Sequence, residues 1–102
     1  MVIAKKGWTA MQVLDLLYKS IEIFESQYDQ YGAIEKSPNT SLFGKDGVLD
    51  SLGLVSFLLI VEQEITDAFG VEITIADEKA MSLKNSPFRT LDSLSSYLET
   101  LL

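Results

Sequence analysis

The sequence predicts an all-α domain: a four-helix bundle with a long loop between its first and second helices and a short third helix. Three observations lead there. Apolar residues recur at helical spacing in three separate stretches, and the one stretch of strand-like alternation has no second strand to pair with. The chain's 102 residues, 47% hydrophobic and 23% charged, suffice for one core and no more. Residues 1–102 therefore read as a single domain, with residues 1–8 an N-terminal extension expected to be flexible.

The first helix is read from Val13, Leu16, Leu17, Ile21, Phe24, Tyr28 and Tyr31, which recur at the i, i+3, i+4, i+7 spacing of one helix face. Thr9 with Gln12 makes a capping-box pair and Gly32 a stop, so the helix runs roughly from Thr9 to Tyr31. From Gly32 to Leu49 the pattern gives way to breakers, Ser37, Pro38, Asn39, Thr40, Gly44 and the Asp46-Gly47 pair. Leu42, Phe43 and Val48 are expected to pin this long loop to the core.

The second helix opens at Asp50 and Ser51 and runs to Phe69, with Gly70 the stop. Turning 100° per residue places Leu54, Phe57, Leu58, Val61, Ile65, Ala68 and Phe69 on a core stripe. The opposite side carries Leu52, Val55, Ser56, Leu59, Glu62, Gln63 and Thr66, with three aliphatic residues where a surface helix is normally polar. Val71, Ile73 and Ile75 alternate with Glu72 and Thr74 and are read as an extended segment laid on the core. A short third helix is expected over 76–84, before the Asn85-Ser86-Pro87 break. Thr90 then caps a last helix with Leu91, Leu94, Leu98 and Leu101 turned inward.

Fifteen Asp and Glu against eight Lys and Arg give a formal charge of −7. The acids concentrate between Lys45 and Lys79, where Asp46, Asp50, Glu62, Glu64, Asp67, Glu72, Asp77 and Glu78 occur without a single Lys or Arg. Repulsion from phosphate backbones disfavours nucleic acid as a partner and favours a basic protein face. The chain has no Cys and no His, which removes thiolate nucleophiles, the usual general base and the usual metal ligands, so no enzyme and no metal site is expected. Asp46, Val48 and Asp50 imitate part of a calcium loop, but an apolar third position leaves a turn and an N-cap as the better reading. No apolar stretch or small-residue cleavage site follows Lys5 and Lys6, and no run approaches a membrane-spanning length. A cytoplasmic protein without membrane insertion is expected.

The distinctive segment is Gly47-Val48-Leu49-Asp50-Ser51-Leu52, a glycine-containing loop that delivers a serine to the first turn of a helix. The unpaired N–H groups and positive dipole end of a helix start stabilise an anion, so a phosphate ester on Ser51 would be well placed. Asp-Ser-Leu is short enough that chance would place it in roughly 3% of chains this long. It occurs twice here, the second time as Asp92-Ser93-Leu94 inside the last helix, with no loop before it. Only Ser51 combines a loop, a helix start and a neighbouring apolar stripe.

At this point the sequence resembles the acyl carrier protein family. The likeness covers the first helix, the Leu42-Phe43-Gly44 loop, Asp50-Ser51-Leu52, the stretch from Glu62 to Phe69, Gly70-Val71-Glu72-Ile73 and Phe88-Arg89-Thr90-Leu91. It implies a stand-alone carrier with 4'-phosphopantetheine attached to Ser51, Asp50 belonging to the attachment motif, and an acyl cargo held as a thioester. Implied partners are a phosphopantetheinyl transferase, which supplies the base and metal, and acyl-transferring or ketosynthase-type enzymes. These would dock through basic faces on Leu52, Val55, Ser56, Leu59 and Glu62, and the carrier would be monomeric. A cavity lined by Phe57, Val61, Ile65, Ile73 and Leu98 is implied for the cargo. A peptidyl or aminoacyl carrier and an unmodified acidic adaptor are the alternatives. Gly53, where the family often has an acid, and Ser56, in place of a common Glu, depart from its pattern. The second helix is also about four residues longer than in fatty-acid-synthesis carriers, close to one turn. A specialised carrier fits these departures better than the housekeeping one.

Overall fold

A computed structural model of the chain describes residues 10–44, 47–75 and 88–101. They form three α-helices, α1 (Ala10–Gln27), α2 (Ser51–Phe69) and α3 (Leu91–Leu101), and a short 3-10 helix (Asp29–Tyr31). Among the described residues extended pairing is limited to an isolated bridge between Ser41 and Thr90. The described chain is thus all-helical, with three α-helices where the sequence predicts four. The short helix expected over 76–84, the extension at 1–8 and Thr9 lie outside the described residues.

The long helix α1 buries Val13, Leu17, Ile21 and Phe24, one stripe down its length. It ends at Gln27 and not at Tyr31, because Tyr28 leaves the helical region with φ −131° and ψ 76°. The aromatic periodicity conceals this break. The 3-10 turn that follows keeps the Tyr31 ring 5.4 Å from that of Phe24, while the Tyr28 ring stacks at 4.9 Å.

The bounds of α2 are those the sequence predicts, Asp50 capping its start and left-handed Gly70 its end. It runs antiparallel to α1. The Phe24 and Phe57 rings meet edge to face at 5.9 Å, and further along Lys19 pairs with Glu64 at 3.4 Å. Leu54, Phe57, Leu58, Val61 and Ile65 are fully buried, so the inner stripe is the predicted one up to Ala68, which is exposed, and Phe69, half-buried. Helix α1 also packs closely on α3, while the backbones of α2 and α3 stay further apart and their side chains share the same core. Fully buried Ile75 and Phe88 join the same core from the chain between α2 and α3.

Two glutamates fasten the connections to the helices. Glu25 accepts the N–H of buried Ile34 at 2.6 Å, and Glu62 accepts that of buried Ile75 at 2.6 Å. Each lets an isoleucine enter the core with its amide satisfied. Three apolar residues expected inside are exposed: Val48, Val71 and Leu101. Val48 sits at a bend just before buried Leu49, Val71 follows the turn at Gly70, and Leu101 lies in the last turn of α3.

Candidate functional site

The approach to Ser51 is built by a loop folded on itself. Leu49 donates its N–H to the Leu42 carbonyl at 2.9 Å, Val48 to that of Ser41 at 3.2 Å, and Gly47 to that of Gly44 at 3.1 Å. A Cβ on Gly47 would lie 2.5 Å from the backbone of Phe43, so this crossing admits only glycine. On its other side the loop is tied to the start of α3, Leu42 donating to the Arg89 carbonyl at 2.7 Å. Leu49 is buried, which fixes the point where the chain turns into α2.

Asp50 then caps the helix. Its backbone is extended, its Oδ1 accepts the N–H of Gly53 at 2.8 Å, and its carbonyl accepts the N–H of Leu54 at 2.9 Å. The same Oδ1 accepts a second bond, from the Tyr31 hydroxyl at 2.8 Å. These two donors, the Gly53 amide first, hold the Asp50 carboxyl below its ordinary acidity range, and the bond to Asp50 raises the Tyr31 phenol above its own. Tyr31 reaches Asp50 across the first turn of α2, and a Cβ on Gly53 would stand 2.8 Å from its ring and hydroxyl.

Ser51 is exposed, and among the described residues none hydrogen-bonds its hydroxyl or accepts the N–H of Ser51 or Leu52. The second Asp-Ser-Leu provides the contrast. There the Asp92 N–H is taken by the Pro38 carbonyl at 2.9 Å and the Leu91 N–H by that of Thr40 at 3.1 Å. Ser93 is half-buried in a reciprocal box with Thr90, its N–H donating to Thr90 Oγ1 and its Oγ accepting the Thr90 N–H, both at 3.0 Å. One tripeptide leaves its serine and helix start open, and the other spends both on the fold.

Along the outer side of α2, Leu52 is 72% and Leu59 53% exposed, while Val55 and Ser56 are half-buried. Glu62 is half-buried as well, its carboxylate engaged with Ile75. A groove of about 470 Å³ lies between α2 and the 71–75 segment, lined by Leu59, Glu62, Gln63, Thr66, Glu72, Ile73 and Thr74. Of the residues expected to line a cargo cavity, Ile73 faces this groove, whereas Phe57, Val61, Ile65 and Leu98 are fully buried in the core.

Tyr31 and Glu62 as structural anchors escaped the sequence reading. The available signal for Tyr31 was Gly53, a glycine in the first turn of a helix where nothing local asks for one. Among the described residues no helix is long and apolar enough to cross a membrane, and no three acidic side chains gather as metal ligands do. No family model, curated protein or solved structure matches the chain significantly.

Proposed function

We propose that the chain is an acyl carrier protein, modified at Ser51 with 4'-phosphopantetheine and without catalytic activity of its own. The observation that carries this reading is the contrast between the two Asp-Ser-Leu segments: Ser51 alone is exposed at a helix start whose first amides are open. The residues fit the group. Ser51 Oγ would bear the phosphodiester, and the amides of Ser51 and Leu52 at the positive end of α2 would face its negative charge. When bound, the arm supplies a terminal thiol for thioester chemistry in a chain that has no Cys.

Asp50 is a poor base for the Ser51 proton, since its carboxylate is committed to the cap and held more acidic than an ordinary aspartate. Activation of the hydroxyl therefore falls to a phosphopantetheinyl transferase. Leu52 and Leu59, with Val55, Ser56 and Glu62 beside them, form the docking side for this transferase and for acyl-transferring or ketosynthase-type enzymes with basic faces. In this reading a short helix over 76–84 completes a four-helix bundle, and the carrier is monomeric and cytoplasmic.

Intact mass after incubation with a phosphopantetheinyl transferase and coenzyme A tests the proposal. One phosphopantetheine on the wild-type chain and none on Ser51→Ala is the expected result. An unchanged mass would make the chain an unmodified adaptor, and loading with aminoacyl but not acyl donors would make it a peptidyl carrier.

A further inference from the structure

The proposed role of Ser51 assigns nothing to Tyr31, and the inference drawn here rests on that role. We propose that Tyr31 is a positioning residue for the modification of Ser51, acting through Asp50. Asp50 is an exposed side chain where the loop enters α2, and its cap bond alone would leave it rotamers in which Oδ1 turns to water. The Tyr31 hydroxyl, 2.8 Å from that same oxygen, removes this freedom. Tyr31 is itself held: its ring lies against Phe24 of α1 at 5.4 Å, and its 3-10 turn closes through the Gly32 N–H on the Asp29 carbonyl at 3.1 Å.

Gly53 shows that the contact shapes the helix start, since a Cβ there would come within 2.8 Å of the tyrosine's ring and hydroxyl, closer than side chains pack. The bond therefore fastens the residue preceding Ser51 to the end of α1, and the serine enters a transferase site already oriented. Pre-organisation of this kind raises the fraction of competent chains, so its loss appears in KM and leaves kcat alone.

The experiment compares wild type, Tyr31→Phe, Asp50→Ser and the double variant in steady-state phosphopantetheinylation with coenzyme A. Phenylalanine keeps the ring on Phe24 and Gly53, and serine at position 50 keeps a helix cap too short to reach Tyr31. Tyr31→Phe should raise KM for the carrier about fivefold, the weight of one hydrogen bond, with kcat retained and the chain still folded, its unfolding midpoint lowered by no more than that one bond. The ¹³C resonance of the Asp50 carboxyl should move in the same variant. In the Asp50→Ser background the Tyr31→Phe change should cost nothing further. An unchanged KM for Tyr31→Phe with wild type modified at Ser51, or a fivefold loss that persists in the Asp50→Ser background, overturns the inference and leaves the carrier reading standing. A wild-type chain that gains no mass overturns both.

Discussion

The ring of Tyr31 lies so close over Gly53 that a single added carbon at position 53 would come within 2.8 Å of it. Alanine in place of glycine in a helix normally stabilises by about 0.5–1 kcal/mol. Here Gly53→Ala should instead lower stability by about 1–2 kcal/mol, because the ring must give way. With Tyr31→Ala already in place the sign should reverse and Gly53→Ala should stabilise. Urea unfolding of the four proteins of this cycle measures the coupling, and additive effects would mean that the two residues do not press on one another.

The two serines should separate function from stability. Ser51→Ala is expected to lose modification and keep its unfolding midpoint, since the hydroxyl engages no described residue. Ser93→Ala should be modified like wild type but lose about 1 kcal/mol with its box to Thr90. Mass spectrometry beside denaturant titration reads both, and a modified Ser51→Ala protein would move the attachment site elsewhere.

The outer stripe of α2 has its own test. Leu59→Asp should weaken transferase recognition in a folded protein, Leu59 being 53% exposed, whereas Leu58→Asp places a charge in the core and should unfold the domain. Glu62→Lys would confound charge with structure, since Glu62 also holds the Ile75 amide. Glu62→Ala should cost about 1–2 kcal/mol and speed hydrogen exchange at Ile75. Asp67, exposed on the same helix, is the better probe of charge: Asp67→Lys should slow association at low salt and leave it unaltered at high salt.

Acid should loosen the start of α2. The Asp50 carboxyl is more acidic in the folded chain than its ordinary value of 3.8, through the Gly53 amide and then the Tyr31 hydroxyl. A lowered carboxyl pKa contributes stability that is complete above the unfolded value and is lost as pH falls through the folded one. As the pH falls below the ordinary value of 3.8 the wild type should therefore lose stability more steeply than Asp50→Ser. Tyr31 acts at the other extreme, since its pKa is raised from 10.0, first by the bond to Asp50. Its contribution is complete below that value and fades as pH climbs through the folded one. Melting curves across both limbs check the pair, and parallel acid limbs in wild type and Asp50→Ser would refute the Asp50 assignment.

Both ends of α2 were legible because their signals are local: an aspartate that caps through its own side chain and a glycine in the left-handed region. The inner stripe from Leu54 to Ile65 followed from periodicity alone. The end of α1 was not legible, because the 3-10 turn returns Tyr31 to the side of Phe24 and preserves the aromatic spacing across the break. Glu62 looked like a surface charge because its partner, the Ile75 amide, lies thirteen residues on and enters only when the chain doubles back. Gly53 stood out in the sequence as a departure, but the ring that requires it lies twenty-two residues earlier in the chain. Contacts at such separations leave no periodic trace.

Leu42 gives its N–H to Arg89 and its carbonyl to Leu49, so a single peptide strand lies between the entrance to the last helix and the entrance to the helix of Ser51. Neither neighbour can part from it without unpairing backbone that also holds the other in register. The two ends of the sequence that flank this loop therefore belong to one cooperative opening unit, and native-state exchange should give the Leu42 and Leu49 amides the same opening free energy. Damage to α3 should then be felt forty residues upstream, at the threshold of the serine.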